Sequence, residues 1–168
     1  MKGNNLNHQL DEGAHLPSLR RRYRAALLDL AAGHTFTHWL TLTTHDAFYT
    51  PPRALAKHKR WRVELLRELH GRRFYKLPED SLTYYIGCLE VPPSGHSHFH
   101  FLCAVPAGLE AKFERVADSR WTAIVPSGKC CCQPVGTDPH AVRDRLGYAS
   151  KATYMGAEVP FIDSRMYR

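Results

Sequence analysis

The chain has 168 residues, 43% of them hydrophobic and 23% charged, with a formal net charge of +7. That length suits one domain, residues 1–168, with a real core but no room for a motor domain beside it, and the composition excludes a disordered, collagen-like or repetitive chain. No run approaches the roughly 18 apolar residues of a membrane span, and MKGNNLNHQLDEG lacks the apolar stretch of a signal peptide, so a cytoplasmic protein with no membrane partner is expected.

The first dozen or so residues are polar and expected to be loose. In LPSLRRRYRAALLDLAAG, Leu19, Tyr23, Leu27, Leu30 and Ala31 recur at helical spacing and Gly33 supplies a stop. FTHWLTLTT (36–44) reads as a strand, with Phe36, His38, Leu40 and Leu42 on one face and Thr37, Trp39, Thr41 and Thr43 on the other. A helix is predicted from about Arg53 to Leu69, followed by the loop GRRFYKLPED. Residues 51–76 carry nine basic side chains against two acidic ones, an excess equal to that of the whole chain. Concentrated positive charge of this kind attracts polyanions through counterion release, which makes Arg53, Lys57, Lys59, Arg60, Arg72 and Arg73 candidate DNA contacts, with Trp61, Phe74 and Tyr75 able to stack on bases. The alternative is a solvated helix face with core aromatics.

SLTYYIGCLEV (81–91) is a second strand, and the turn formers of VPPSGH lead into a third, HSHFHFL (96–102), so the two form a hairpin. Alternation puts His96, His98 and His100 on one face and Ser97, Phe99 and Phe101 on the other. A turn about Ser94 sets Glu90 opposite His98, whereas a slip of one residue puts the carboxylate on the wrong face. Two or three imidazoles plus a carboxylate suit a divalent cation, with Mn²⁺, Mg²⁺, Zn²⁺ and Fe²⁺ all open on ligand type.

AVPAGLEAKFERVADSR reads as a helix and RWTAIV as a further strand before the run Cys130, Cys131 and Cys132. Five cysteines in a chain of this size point to reduced thiols; a zinc site is the alternative, but there is no CxxC pair and adjacent cysteines converge poorly on one ion. DPHAVRDRLGYASKATY opens with Asp138 as N-cap and Pro139 at the first helical position. Val142, Leu146, Ala149 and Thr153 share the face that packs on the sheet, while Asp144, Tyr148 and Lys151 share nearly the opposite one. A divalent ion beside a phosphate acts as a Lewis acid, and a phenol beside a lysine can serve as a nucleophile; phosphodiester cleavage through phosphotyrosine needs both.

The tract His96-Ser-His98-Phe-His100-Phe-Leu, preceded by Trp39-Leu-Thr-Leu-Thr-Thr44 and followed by Tyr148-Ala-Ser-Lys151, resembles the three ordered motifs of the HUH endonuclease superfamily, specifically the rolling-circle replication initiators. The resemblance covers roughly residues 36–155. It implies an α+β fold with a central antiparallel sheet of about five strands flanked by helices. It assigns His98 and His100 to a divalent ion, Mn²⁺ or Mg²⁺, with Glu90 completing the site, and the threonine motif supporting the sheet beside it. Tyr148 is implied as the nucleophile that nicks single-stranded DNA at an origin, leaving a 5′-phosphotyrosyl enzyme and a free 3′-hydroxyl. Lys151 is the basic residue three positions on, Tyr154 a reserve candidate, and Asp144 stands where some initiators carry a water-activating glutamate. The chain departs from the pattern in having Gly147 where many members have lysine, and in lacking room for a helicase. A host helicase is then a required partner, or the chain is an excised domain or a transposase relative.

Two rival readings remain at this level. A histidine-triad nucleotide hydrolase also uses HxHxH, with a histidine nucleophile and no essential metal, but leaves the basic and tyrosine helices without a task. A DNA-binding module would use its histidines for a structural metal only.

Overall fold

The computed structural model describes residues 25–26, 28–46, 48–92, 95–136, 138–149 and 161–167. Of the helix predicted before Gly33, residues 25–26 and 28–31 are helical (α1), while Leu19, Tyr23 and Leu27 lie outside the described residues. It is followed by β1 (His38–Thr43), α2 (Pro51–His70), β2 (Tyr84–Glu90), β3 (His98–Ala104), α3 (Glu110–Ile124), β4 (Lys129–Pro134), α4 (Pro139–Ala149) and β5 (Phe161–Asp163). The five strands form one sheet in the order β4-β1-β3-β2-β5, every neighbouring pair antiparallel, so the fold is α+β as expected. None of the described helices is long and apolar enough to cross a membrane.

One expectation is overturned. Arg120 to Ile124 of RWTAIV form the last part of α3 rather than a strand, with Val125 just past the helix end, and the fourth strand is the cysteine run itself. Phe113, Ala117, Trp121 and Ile124 recur at three- and four-residue spacing and are all buried, so the apolar stripe that begins the helix carries the β-branched Ile124 along with it. Pro126-Ser127-Gly128 then turns the chain, with the Gly128 N–H donating to the Val125 carbonyl at 2.8 Å. The short β5 was not anticipated from sequence; it pairs with the edge of β2 through Ile86, Gly87 and Cys88.

Strand alternation gives the sheet two unlike faces. On one, Leu40 and Leu42, Phe99 and Phe101, and Tyr85 and Leu89 lie under α2 and α3, and all are buried. Trp61 of α2 meets Trp121 of α3 edge to face, and each indole N–H has a carbonyl partner: Ala117 for Trp61 at 3.0 Å, Thr43 for Trp121 at 2.9 Å. Trp61 is therefore core and does not offer a base-stacking ring, which corrects the sequence expectation; Tyr75 is exposed. Buried Trp is favoured where its polar edge finds such a partner.

His58 lies fully buried within this layer, stacked on Phe99 and Phe101 at centroid distances of 5.0 and 5.1 Å, with its Nε2 3.1 Å from the Tyr85 hydroxyl. Burial, reinforced by the charges of Arg62 and Lys59, pulls its pKa down to about 3. The folded protein keeps this ring neutral while the unfolded chain takes up a proton near pH 6.5, so acid favours the unfolded state. Stability is expected to fall on going from pH 7 to pH 5, with His58 contributing on the order of 1 kcal/mol per pH unit. Urea unfolding at both pH values should show the slope reduced in His58→Phe; an identical slope in the variant would contradict the buried, neutral ring.

Candidate metal centre

The opposite face of the sheet carries the ligand-rich residues. Across it, Thr43 pairs with His98 and His98 with Glu90; one step along, Thr41 pairs with His100 and His100 with Cys88. The register expected for the hairpin is the one observed, so Glu90 and His98 stand directly opposite. Glu90, His98 and His100 each offer one ligand atom, all within 4.8 Å of one another, and among the described residues they are the one such group that can hold a metal ion. His96 precedes β3 and is outside the group. Its neighbour Ser97 is buried, with its hydroxyl donating to the Tyr49 carbonyl at 3.1 Å and its own carbonyl accepting from the Thr44 N–H at 3.1 Å.

Local chemistry fits the three residues to a cation. Nε2 of His100 lies 3.1 Å from Oε2 of Glu90, close to the roughly 3 Å between adjacent ligand atoms on an octahedral ion of Mg²⁺ or Mn²⁺ size. Its Nδ1 lies 3.2 Å from the Thr41 hydroxyl. A neutral ring that presents Nε2 as a lone pair keeps its proton on Nδ1, and that proton donates to the Thr41 oxygen, fixing tautomer and ring orientation. Burial pulls both His98 and His100 below the ordinary imidazole range, and the Glu90 carboxylate opposes that shift without overcoming it. The imidazoles are thus neutral at neutral pH, the form that ligates metals. Cys88, beside His100 on β2, is pushed up to about 12 by burial and by Glu90, so its thiol stays protonated and does not compete. All five cysteines are free, as expected for reduced thiols.

The centre has an aromatic wall. Trp39 of β1 stacks on His100 with ring planes 10° apart and centroids at 5.6 Å. Over both lies Tyr148 of α4, edge-on, its ring centroid 5.2 Å from that of His100 and 6.2 Å from that of Trp39. The α4 start is the one expected, since the Asp138 carboxylate accepts from the His140 N–H at 2.9 Å. Leu146 is buried and Val142 packs against the core, also as expected. Tyr148, in contrast, does not turn away from the sheet: although 52% exposed, it leans over the histidine strand. A helix crossing a sheet places side chains flanking its apolar stripe on the sheet as well, and the long tyrosine reaches down from that flank.

The other proposed site residues are distributed differently. Asp144 is exposed on α4, and Lys151 and Tyr154 lie outside the described residues. The basic tract belongs to α2 and its C-terminal loop, on the far side of the sheet from the metal group. There Lys59 and Arg60 are exposed, Lys57 is half-buried, and Arg72 and Arg73 follow the helix end at Gly71. Arg60 pairs with Glu64 at 2.8 Å. Arg53 differs from these, because it sits at the start of α2 over the ring of Phe48 at 4.2 Å, beside the loop that meets Ser97. Sequence reasoning missed Arg145, whose guanidinium lies 5.2 Å over the Trp39 ring. Its three-residue offset from Tyr148 was the available signal.

No protein-family model, curated protein or solved structure matches the chain.

Two substitutions test the construction of the centre. Thr41→Val removes the partner of His100 Nδ1 while keeping shape, and should weaken Mn²⁺ binding about 10- to 100-fold by calorimetry with the far-UV circular dichroism unchanged. Gly87 faces β3 so closely that a Cβ there would meet the His100 carbonyl oxygen at 1.8 Å. Gly87→Ala should cost about 1–3 kcal/mol in unfolding free energy and weaken Mn²⁺ binding too, since the strand that must move bears both histidines.

Proposed function

We propose that the protein is a replication-initiator endonuclease of the HUH type, which nicks single-stranded DNA at an origin with Tyr148 as nucleophile. The observation that carries this reading is the Tyr148 ring standing 5.2 Å from the ring of His100, itself a member of the Glu90–His98–His100 group. A phenol and a set of divalent-ion ligands on one side of a sheet are what phosphotyrosyl transfer requires.

In this reading the Tyr148 oxygen attacks the scissile phosphorus as the phenol proton passes to solvent. The bond from phosphorus to the 3′ oxygen breaks, its electron pair leaves on that oxygen, and a proton from solvent completes the 3′-hydroxyl. The 5′ phosphate stays joined to Tyr148. Attack by a 3′-hydroxyl on that phosphotyrosine reverses every bond change and religates the strand. A Mn²⁺ or Mg²⁺ ion held by Glu90, His98 and His100 supplies Lewis-acid polarisation of the phosphate when bound. Thr41 holds His100 in the ligating tautomer, and Trp39 backs the ring. Lys151 is the further basic residue that the motif implies, and Asp144 the acid one turn before the tyrosine. Arg53, Lys57, Lys59, Arg60, Arg72 and Arg73 supply sequence-independent attraction for the rest of the DNA. A separate helicase unwinds the duplex. The position of His96 outside the ligand group favours a two-histidine site over a three-histidine hydrolase.

Incubation of the protein with a randomised single-stranded oligonucleotide pool and Mn²⁺ should give a covalent adduct that migrates slowly on a denaturing gel. Tyr148→Phe should give none, and EDTA should abolish it in the parent. His98→Ala and His100→Ala should each lose the adduct while keeping most of the salt-sensitive DNA binding, because affinity comes mainly from phosphate contacts. Adduct from Tyr148→Phe equal to that of the parent would refute the nucleophile, and binding without any cleavage would favour the DNA-binding module.

A further inference from the structure

We infer that Arg145 is the phosphate-binding cation of this centre, holding the scissile phosphate between the metal ligands and Tyr148. The inference rests on the nickase reading for the name of its substrate but on separate residues for its geometry. Arg145 and Tyr148 are three residues apart on α4, so both project from the same side of the helix. Both also contact one ring: the Arg145 guanidinium carbon lies 5.2 Å over Trp39, and the Tyr148 ring meets Trp39 edge-on at 6.2 Å. Trp39 is only 5% exposed and is itself stacked on His100, so the platform beneath the guanidinium is tied to the metal group.

This placement determines what Arg145 can do. A guanidinium held over an aromatic ring by its charge keeps a planar fork of N–H donors that can take a tetrahedral anion in a two-pronged grip. Among the described residues Arg145 forms no ion pair, in contrast to Arg60, Arg120 and Arg165, which are held by Glu64, Glu68 and Asp163. Arg143, two positions earlier, is exposed, and the basic tract of α2 is on the other side of the sheet. Gly147 stands where related initiators place a lysine beside the tyrosine, and Arg145 brings a cation to the same neighbourhood from three residues upstream. The ligand class is a phosphate monoanion or dianion, free or as a phosphodiester, seated next to a divalent ion.

The test uses inorganic phosphate and the full chain. In Mn²⁺-loaded protein, phosphate near the ion is detected by enhanced ³¹P relaxation. Arg145→Gln should weaken phosphate binding about tenfold or more, while its Mn²⁺ affinity, read by electron paramagnetic resonance, matches the parent. Arg145→Lys should lose less, because it keeps the charge and forfeits only the fork, and Arg143→Gln should behave as the parent. A second readout needs neither metal nor turnover: in metal-free protein, phosphate should shift tryptophan emission, and the shift should vanish in Trp39→Phe and in Arg145→Gln, since Trp61 and Trp121 are buried on the other face. Unchanged phosphate binding in Arg145→Gln, or an equal loss in Arg143→Gln, would overturn the assignment. If Arg145-dependent phosphate binding is seen but no DNA adduct forms, the anion site stands and the nickase reading falls.

Discussion

Glu90 and His98 face each other across an antiparallel pair, and this single register is what the rest of the site depends on. Side chains directly opposite in such a pair have Cβ atoms only about 5 Å apart, close enough to share a small cation. His100, two residues along β3, joins them on the same face, and Thr41 of β1 reaches its far nitrogen. Shift the hairpin by one residue and the carboxylate enters the layer beneath α2 and α3, where burial away from solvent would leave its charge poorly stabilised. The burial of Phe99, Phe101, Tyr85 and Leu89 on the other face opposes that slip. The hydrophobic core thus enforces the alignment of polar groups that are not part of it.

Histidines at 58 and at 98 and 100 show how the two faces set chemistry. All three rings have lowered proton affinity, with burial as the main cause. His58 is sealed between phenylalanines and serves packing and a hydrogen bond to Tyr85. His98 is half-buried and His100 buried, each with Glu90 in reach, and their neutral rings keep a lone pair available. The same perturbation is structural on one side of the sheet and suited to holding a cation on the other, and the difference is access to the Glu90 carboxylate.

Tyr148 and Arg145 reach the centre from outside the sheet. They extend from α4 onto Trp39 and His100, so the phenol and the guanidinium are placed by an aromatic stack instead of by the strand ladder. Such stacks fix position with little loss of side-chain mobility at the tip, since the polar ends stay in solvent. The proposed nickase would gain from that arrangement: its metal ligands lie on hydrogen-bonded strands and its tyrosine is half exposed.

Much of this was legible along the chain. The alternation in HWLTLT and HFHFLCA, the turn formers between β2 and β3, and Asp138-Pro139 at the start of α4 are local signals, and local signals specify strands, hairpin register and a helix cap. From these the sequence by itself determined a β2–β3 hairpin with His98 and His100 on one face. The five-stranded α+β sheet was what the motif resemblance implied, and the register that brings Glu90 to the histidines was one of two left open. Tertiary structure alone decided that Trp121 and Ile124 continue a helix, because burying the stripe begun at Phe113 outweighs the strand preference of an aromatic and a β-branched residue. It also decided that Trp61 is core, that the α2 basic tract lies across the sheet from the ligands, and that Tyr148 leans onto His100 with Arg145 beside it. Each depends on which side of the sheet a helix packs against, a choice made by distant side chains that no short window of sequence contains.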